Sequence, residues 1–202
     1  MPDTFKNIAC AILAGGKNSR MGGMNKGFIK IDNSYIIENI TTEVEKIFKE
    51  LIIVTNSAGI YDSYRDKYFL ISDIIKDIGP LGGIYTALDF TKSDAVFFVP
   101  CDMPFINHII IESILKSYNE TGCEAVVPRF GEIIQPLFSL FKKDVKDKLF
   151  SFINSGHDYS VKNFLKQIEV YYLDMEINEN NKKVFININS QADLENLKRN
   201  IV

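Results

Sequence analysis

The stretch IACAILAGGKNSRMGGMNKG, residues 8–27, decides how the rest of the chain is read. Its first six residues are all apolar, and then the chain breaks into glycine. Residues 12–27 hold five glycines, one arginine, two lysines and no acid. Such a segment makes neither a core nor a helix. An apolar run feeding it reads as a buried strand that delivers the chain to a bare, cationic loop.

Outward from this point, short apolar runs alternate with helical patterns. LIIVTN (51–56), YFLIS (68–72), AVFFVP (95–100), EAVVP (124–128), PLFSLF (136–141) and VFINI (184–188) read as further strands. Several are apolar on both faces, as strands covered on both sides should be. Between them, residues 35–49 place Ile36, Ile37, Ile40, Val44, Ile47 and Phe48 near helical spacing, with Ser34 as the expected N-cap. Further helices are expected over 83–91, 107–119, 143–153, 159–167 and 190–200. In the last, Ser190 and Asp193 have the spacing of a capping box, with Asp in place of Glu. NENNKK (178–183) reads as a surface turn. The alternation implies a three-layer α/β/α, Rossmann-like fold with a mostly parallel central sheet. The 202 residues contain no evident linker or repeat, so one domain over 1–202 is expected. In such sheets ligands sit beyond the carboxyl ends of the strands, and the glycine loop occupies that edge.

Composition excludes several classes. A net charge of −3 is the wrong sign for a nucleic-acid binder. No apolar run approaches the roughly 18 residues of a membrane span, and IACAIL leads into glycines rather than a cleavage site, so a cytoplasmic protein is expected. Cys10, Cys101 and Cys123 stand far apart and form no CxxC pair, which suits reduced thiols in or near the core. With two histidines and no zinc-type spacing, a transition-metal enzyme is disfavoured. His108 is expected to begin a surface helix and His157 to lie in a polar turn; neither is given a catalytic role.

The loop itself asks for an anion. Glycines let consecutive amides converge on a ligand, and Arg20 and Lys26 add charge-assisted hydrogen bonds, so the ligand implied is phosphate. The P-loop pattern GxxxxGK[ST] is absent, as is the dinucleotide fingerprint GxGxxG, which disfavours a dehydrogenase. Lys17 reads as loop decoration.

LAGG-x3-RMG-x3-KG after the first strand resembles another group, the nucleotidyltransferases that join a nucleoside monophosphate to a phosphorylated acceptor. Within it, RMG followed closely by KG is most similar to the molybdenum cofactor guanylyltransferases. GPLGG (79–83), FFVPCDMPF (97–105) and FININSQADL (185–194) resemble three later motifs of that family, in order. The resemblance implies a nucleotidyltransferase fold in which GMP passes from GTP to the phosphate of molybdenum-bearing molybdopterin, with Mg2+ as cofactor. Molybdenum-insertion or molybdoenzyme-maturation proteins are the protein partners it suggests. It implies that Leu13, Ala14, Gly15, Gly16 and Lys26 cradle the nucleotide. Arg20 would hold the β- and γ-phosphates, and Lys26 would neutralise charge near the α-phosphate. Asp102 would hold the metal, and Arg20, Lys26 and Asp102 together form the catalytic set. Asp73 would touch the nucleotide and Asn56 its base or ribose, and Leu81, Gly82 and Gly83 would form a wall against the guanine.

Each residue also has a plainer reading. Asp102 could cap a turn before Pro104, Asp73 could cap a helix, and GPLGG could be only a tight turn. Asn187 and Asn189 are placed equally well near metal and acceptor or in a turn. Cys101 reads as a packing residue. On the acceptor side the resemblance thins: Gln135-Pro136 stands where the family often has His-Pro, and SGHDYSVKNFL (155–165) replaces an arginine pair. Lys162 and Arg129 are the cations left to serve there. A cytidylyl- or uridylyltransferase, or a nucleotide sensor without chemistry, are the rival readings.

Overall fold

The computed structural model describes residues 5, 7–15, 25–156, 158–176 and 178–201. Gly16, Lys17, Arg20 and His157, all singled out above, lie outside them. The first strand, β1 (Ile8–Leu13), is paired on both sides and sits near the middle of an eight-stranded sheet. It runs parallel to β4 (Leu51–Val54) on one side and to β6 (Ala95–Pro100) on the other. Beyond β4 lies β5 (Phe69–Ile71), again parallel. On the other flank β9 (Ser139–Lys142) runs antiparallel to β6 and to β7 (Ala125–Phe130), and β10 (Val170–Asp174) closes that edge parallel to β7. A short strand, β8 (Ile133–Ile134), folds back on β7. The mostly parallel sheet expected from the alternation is therefore present.

Side-chain alternation along the central strands divides the core into two layers. Cys10, Ile12, Ile53, Phe97 and Val99 face one way. They meet Ile36, Ile37, Ile40 and Val44 of α1 (Ile36–Val44), Ile111, Ile114 and Leu115 of α3 (His108–Thr121), and Leu194 and Leu197 of α7 (Gln191–Ile201). Ala9, Ala11, Ile52, Val54, Val96 and Phe98 face the other way. They meet α2 (Pro80–Phe90), α4 (Val145–Asn154) and α5 (Val161–Leu165). Phe97 is fully buried, stacked on Phe48 at 5.7 Å and edge-on to Phe138 at 5.0 Å. Truncating such a side chain costs about 3–5 kcal/mol. Glu43 ties α1 to the start of α3: the backbone N–H and ring Nδ1 of His108 reach its Oε2 at 2.8 and 2.7 Å. Burial works against that carboxylate, but these bonds and Lys46 prevail and hold it below its ordinary pKa.

Several expectations need correction. Residues 184–188 form no strand, and NENNKK is not a turn but most of helix α6 (Glu179–Val184). The reason is local: Asn178 caps the helix, its Oδ1 accepting the N–H of Asn181 at 2.9 Å. Glu179 opens it and Lys182 and Lys183 close it, signs that suit the helix dipole. The apolar residues Val184, Phe185 and Ile188 are buried, but not at the alternate spacing of a strand. Ser34 is not the cap of α1. It pairs in a small ribbon, β2 (Lys30–Ile31) with β3 (Ser34–Tyr35), and Glu38 accepts the N–H of Tyr35 at 2.7 Å instead. The helix ends at Val44 rather than 49. The strand VYYLD of β10 was not anticipated, because an edge strand with half-exposed residues lacks a clean apolar run. Among the described residues no helix is long and apolar enough to cross a membrane.

Candidate active site

Leu13, Val54, Ile71 and Pro100 stand in one register row across β1, β4, β5 and β6. Each strand then runs on to the same rim. Two residues past that row come Gly15, Asn56, Asp73 and Asp102, which sequence reasoning had chosen one by one. Parallel pairing explains why they belong together: strands in register deliver their successors to one edge.

On the β4–β5 side, Asn56 and Asp73 hold each other. The Asn56 amide Nδ2 donates to Asp73 Oδ2 at 2.8 Å, and the Asp73 N–H donates to Asn56 Oδ1 at 3.2 Å. Thr86 of α2 accepts the next N–H, that of Ile74, at 2.9 Å, which anchors the loop to the helix. Three glycines border the Asp73 carboxyl group. A Cβ added at Gly15, Gly82 or Gly83 would lie 3.9, 3.7 or 3.6 Å from its atoms. At Gly82 the added atom would also stand 2.5 Å from the carbonyl oxygen of Ile75, so only glycine fits. Gly79 starts the helix with φ of +63°, another position where a side chain is strained. Leu81 is fully buried in the core, so its side chain is not part of a wall; what it can offer a ligand is backbone at a helix start.

On the β6 side, Lys26 reaches across to Asp102. Its Nζ lies 3.0 Å from Asp102 Oδ2 and 2.7 Å from Asn189 Oδ1. The ion pair is largely shielded, with side-chain exposures of 21% for Lys26 and 18% for Asp102. Asn189 is itself fixed. Its backbone N–H and that of Ser190 donate to Asp193 Oδ2 at 2.9 and 2.8 Å, while Ser190 Oγ accepts the Asp193 N–H at 3.2 Å. This is the capping box expected at the start of α7. The backbone N–H of Asn189, with the Ser190 hydroxyl next, holds the Asp193 carboxyl below its usual pKa. Ile188 donates its N–H to the carbonyl of Asp102 at 2.9 Å, stitching the late segment to the rim. Asn187, by contrast, donates from its side-chain amide to the carbonyl of Phe185 at 3.3 Å, a contact within its own turn.

Cys101, next to Asp102, is buried. Burial first, and the neighbouring Asp102 second, push its thiol up to about 12. Arg129, considered above for the acceptor, has its guanidinium engaged by Asp174 at 2.6 and 2.9 Å. Sequence reasoning missed Asn25 and Tyr61. Asn25 Oδ1 caps the short turn Lys26–Phe28 by accepting the N–H of Gly27 at 3.1 Å, and the buried Tyr61 hydroxyl donates to the same oxygen at 2.7 Å. An Asn just before Lys-Gly was the available signal for the cap; nothing marked Tyr61.

The rim therefore offers an amide-bonded carboxylate in a notch of glycines at one end and a lysine–carboxylate–amide cluster at the other. A model of the MobA-like NTP transferase domain matches residues 10–170. The chain belongs to the MobA-like NTP transferase family. As a member it is a nucleotidyltransferase, and the glycine loop, Asp73 and Asp102 all fall within the matched span. It is similar to the molybdenum cofactor guanylyltransferase of Vibrio campbellii, 35% identical over 184 residues that cover 91% of each chain. The enzyme of that name from Syntrophotalea carbinolica is 31% identical over 194 residues, 95% of this chain and 90% of that one. The crystal structure of molybdopterin-guanine dinucleotide biosynthesis protein A from Archaeoglobus fulgidus superposes with a TM-score of 0.79. It covers 96% of this chain and 98% of that one at 23% identity, a likeness of fold.

Proposed function

We propose that the chain transfers GMP from GTP to the phosphate of molybdenum-bearing molybdopterin, releasing pyrophosphate, with Mg2+ as cofactor. The observation that carries the reading is the Lys26 ammonium held at Asp102 and Asn189, on the same rim as the glycine-bordered Asp73. The names of the relatives supply the nucleotide and the acceptor.

The donor set suits Mg2+. That ion is commonly bound through one or two carboxylates, with phosphate oxygens and water completing its shell. Asp102 supplies a hard carboxylate oxygen at the sheet rim and Asn189 a neighbouring amide oxygen. Asp102 is the residue that would hold the ion, and the ion, when bound, would neutralise charge on the phosphates. Lys26 adds a second cation that balances charge gathering near the α-phosphorus. Asp73 and Asn56 orient the nucleoside end, and the glycines beside Asp73 let the strand-to-helix loop pack closely around its carboxyl group. The acceptor is a phosphate, already ionised at neutral pH, so no side chain need remove a proton. Catalysis is then positioning and charge stabilisation.

Thermal melting with Mg2+ and each of GTP, CTP, UTP and ATP tests the nucleotide. A selective ligand raises stability by mass action, about 2.7 kcal/mol at a concentration 100 times its Kd. The largest rise is expected with GTP; an equal or larger rise with CTP or UTP would overturn the guanine reading.

A further inference from the structure

We infer that Tyr61 is a positioning residue for Lys26, acting through Asn25 on the backbone that flanks the lysine; this rests on the phosphate-handling role proposed for Lys26. Tyr61 lies in the turn Ala58–Tyr64, remote in sequence from the glycine loop, and is 0% exposed. Its hydroxyl is aimed at the loop, not at its own turn: it donates to Asn25 Oδ1 at 2.7 Å. That oxygen also accepts the N–H of Gly27 at 3.1 Å, so the residues before and after Lys26 meet at one atom. The fit is close. A methyl group on Gly27 would stand 2.9 Å from the Tyr61 hydroxyl oxygen and 3.4 Å from Asn25 Oδ1. Further bonds complete the turn, with the N–H of Phe28 on the carbonyl of Asn25 at 3.0 Å and that of Ile29 on Lys26 at 3.1 Å.

The consequence follows from the lever arm. Lys26 must send a long, flexible side chain to Asp102 and Asn189, and a small rotation of its backbone moves the ammonium much further than the backbone itself. A lysine loses about 2 kcal/mol of rotamer freedom when held, so the fixed backbone beneath it narrows what remains to be ordered. The ring of Tyr61 packs on Phe28 at 5.1 Å and near Tyr64 at 6.3 Å, contacts that phenylalanine would keep. The hydroxyl is what the loop uses. Burial pushes the phenol well above its ordinary pKa, so it remains a donor across the working range.

The test is a double-mutant cycle read as affinity for GTP with Mg2+ by titration calorimetry, with melting followed on each protein. Tyr61→Phe is expected to weaken GTP about three- to tenfold, the loss of one neutral hydrogen bond. In a Lys26→Ala background the same change is expected to have almost no further effect, because the group it positions is gone. An equal loss in both backgrounds, or a lowered melting temperature with unchanged affinity, would reduce Tyr61 to a core residue and overturn the inference. A loss on Lys26→Ala with none on Tyr61→Phe would do the same while leaving the role of Lys26 intact. No loss on Lys26→Ala would remove that role first, and the inference with it.

Discussion

Gly82→Ala isolates the glycine notch with the smallest possible change. The new methyl group would stand 2.5 Å from the carbonyl oxygen of Ile75, closer than real Cβ contacts come. Non-bonded heavy atoms settle at about 3.5 Å, so the strand-to-helix loop must withdraw by about 1 Å. That loop carries Asp73, whose Cγ would itself lie 3.7 Å from the methyl. Two terms oppose each other in stability. Overpacking costs typically about 1–3 kcal/mol, while Ala gains about 1 kcal/mol over Gly in a helix interior. The net is a loss of about 0–2 kcal/mol, a fall of up to about 8 °C in melting for a chain of this size. Function is the more sensitive readout, since a misplacement of about 1 Å can cost a factor of about 100. GTP affinity with Mg2+, measured by calorimetry, is therefore expected to fall at least tenfold in a protein that still melts cooperatively. Gly83→Ala is the control. Its methyl comes as near to Asp73, at 3.6 Å, but its tightest contact is Leu13 Cδ2, the end of a flexible side chain, at 3.0 Å rather than a backbone carbonyl, so a smaller loss is expected. Native affinity in Gly82→Ala, or a larger loss in Gly83→Ala, would refute the argument that a methyl pressed on the Ile75 carbonyl displaces the loop that carries Asp73.

Asp102→Asn keeps an oxygen for Lys26 but removes the charge, and turnover is expected to fall by a factor of about 100 or more with little change in melting; near-normal turnover would take Asp102 out of the site. Lys26→Ala should raise the KM for GTP about ten- to 100-fold, the worth of hydrogen bonds to a charged group, and unchanged GTP kinetics would exclude its role. Glu43, held below its ordinary pKa, contributes stability that is present above the unfolded value, about 4.3, and is lost as pH falls through the lower folded value. Urea midpoints from pH 7 to pH 3 should show wild type above Glu43→Gln at neutral pH and the gap closing in acid; a gap that persists to pH 3 contradicts the assignment. The three cysteines are buried and free, and the thiols of Cys10 and Cys101 are pushed up by burial, so a water-soluble disulfide reagent should label the native protein slowly and all three after unfolding. Fast labelling before unfolding would contradict the burial of Cys101 beside the site.

Much of this architecture was legible in the sequence because its signals are local. The apolar runs of β1 and β6 announce strands buried on both faces, and the turn chemistry after each announces an edge. Once two such strands are taken as parallel, Gly15 and Asp102 must share a rim, so the grouping of site residues followed from fold class. What was hidden depends on contacts distant in sequence. The Lys26 to Asn189 bond joins residues 163 positions apart, and no periodicity distinguishes Asn189, which bonds the Lys26 ammonium, from Asn187, which bonds the nearby carbonyl of Phe185. The segment 178–188 misled for a physical reason: its apolar residues reflect packing against the core, while its secondary structure is set by the Asn178 cap and the charges of α6. Tyr61 looked like any buried aromatic, because a hydroxyl's purpose depends on what stands opposite it.

The central claim is that the rim from Asp73 to Asp102 works as a guanylyl-transfer site. Pyrophosphate release measures it most directly, with Mg2+ and molybdenum-bearing molybdopterin, and with GTP, CTP, UTP or ATP as donor. Release with GTP alone, dependent on the acceptor and lost in Asp102→Asn, is the predicted result. Release that prefers another triphosphate, or that persists at full rate in Asp102→Asn, would contradict the account.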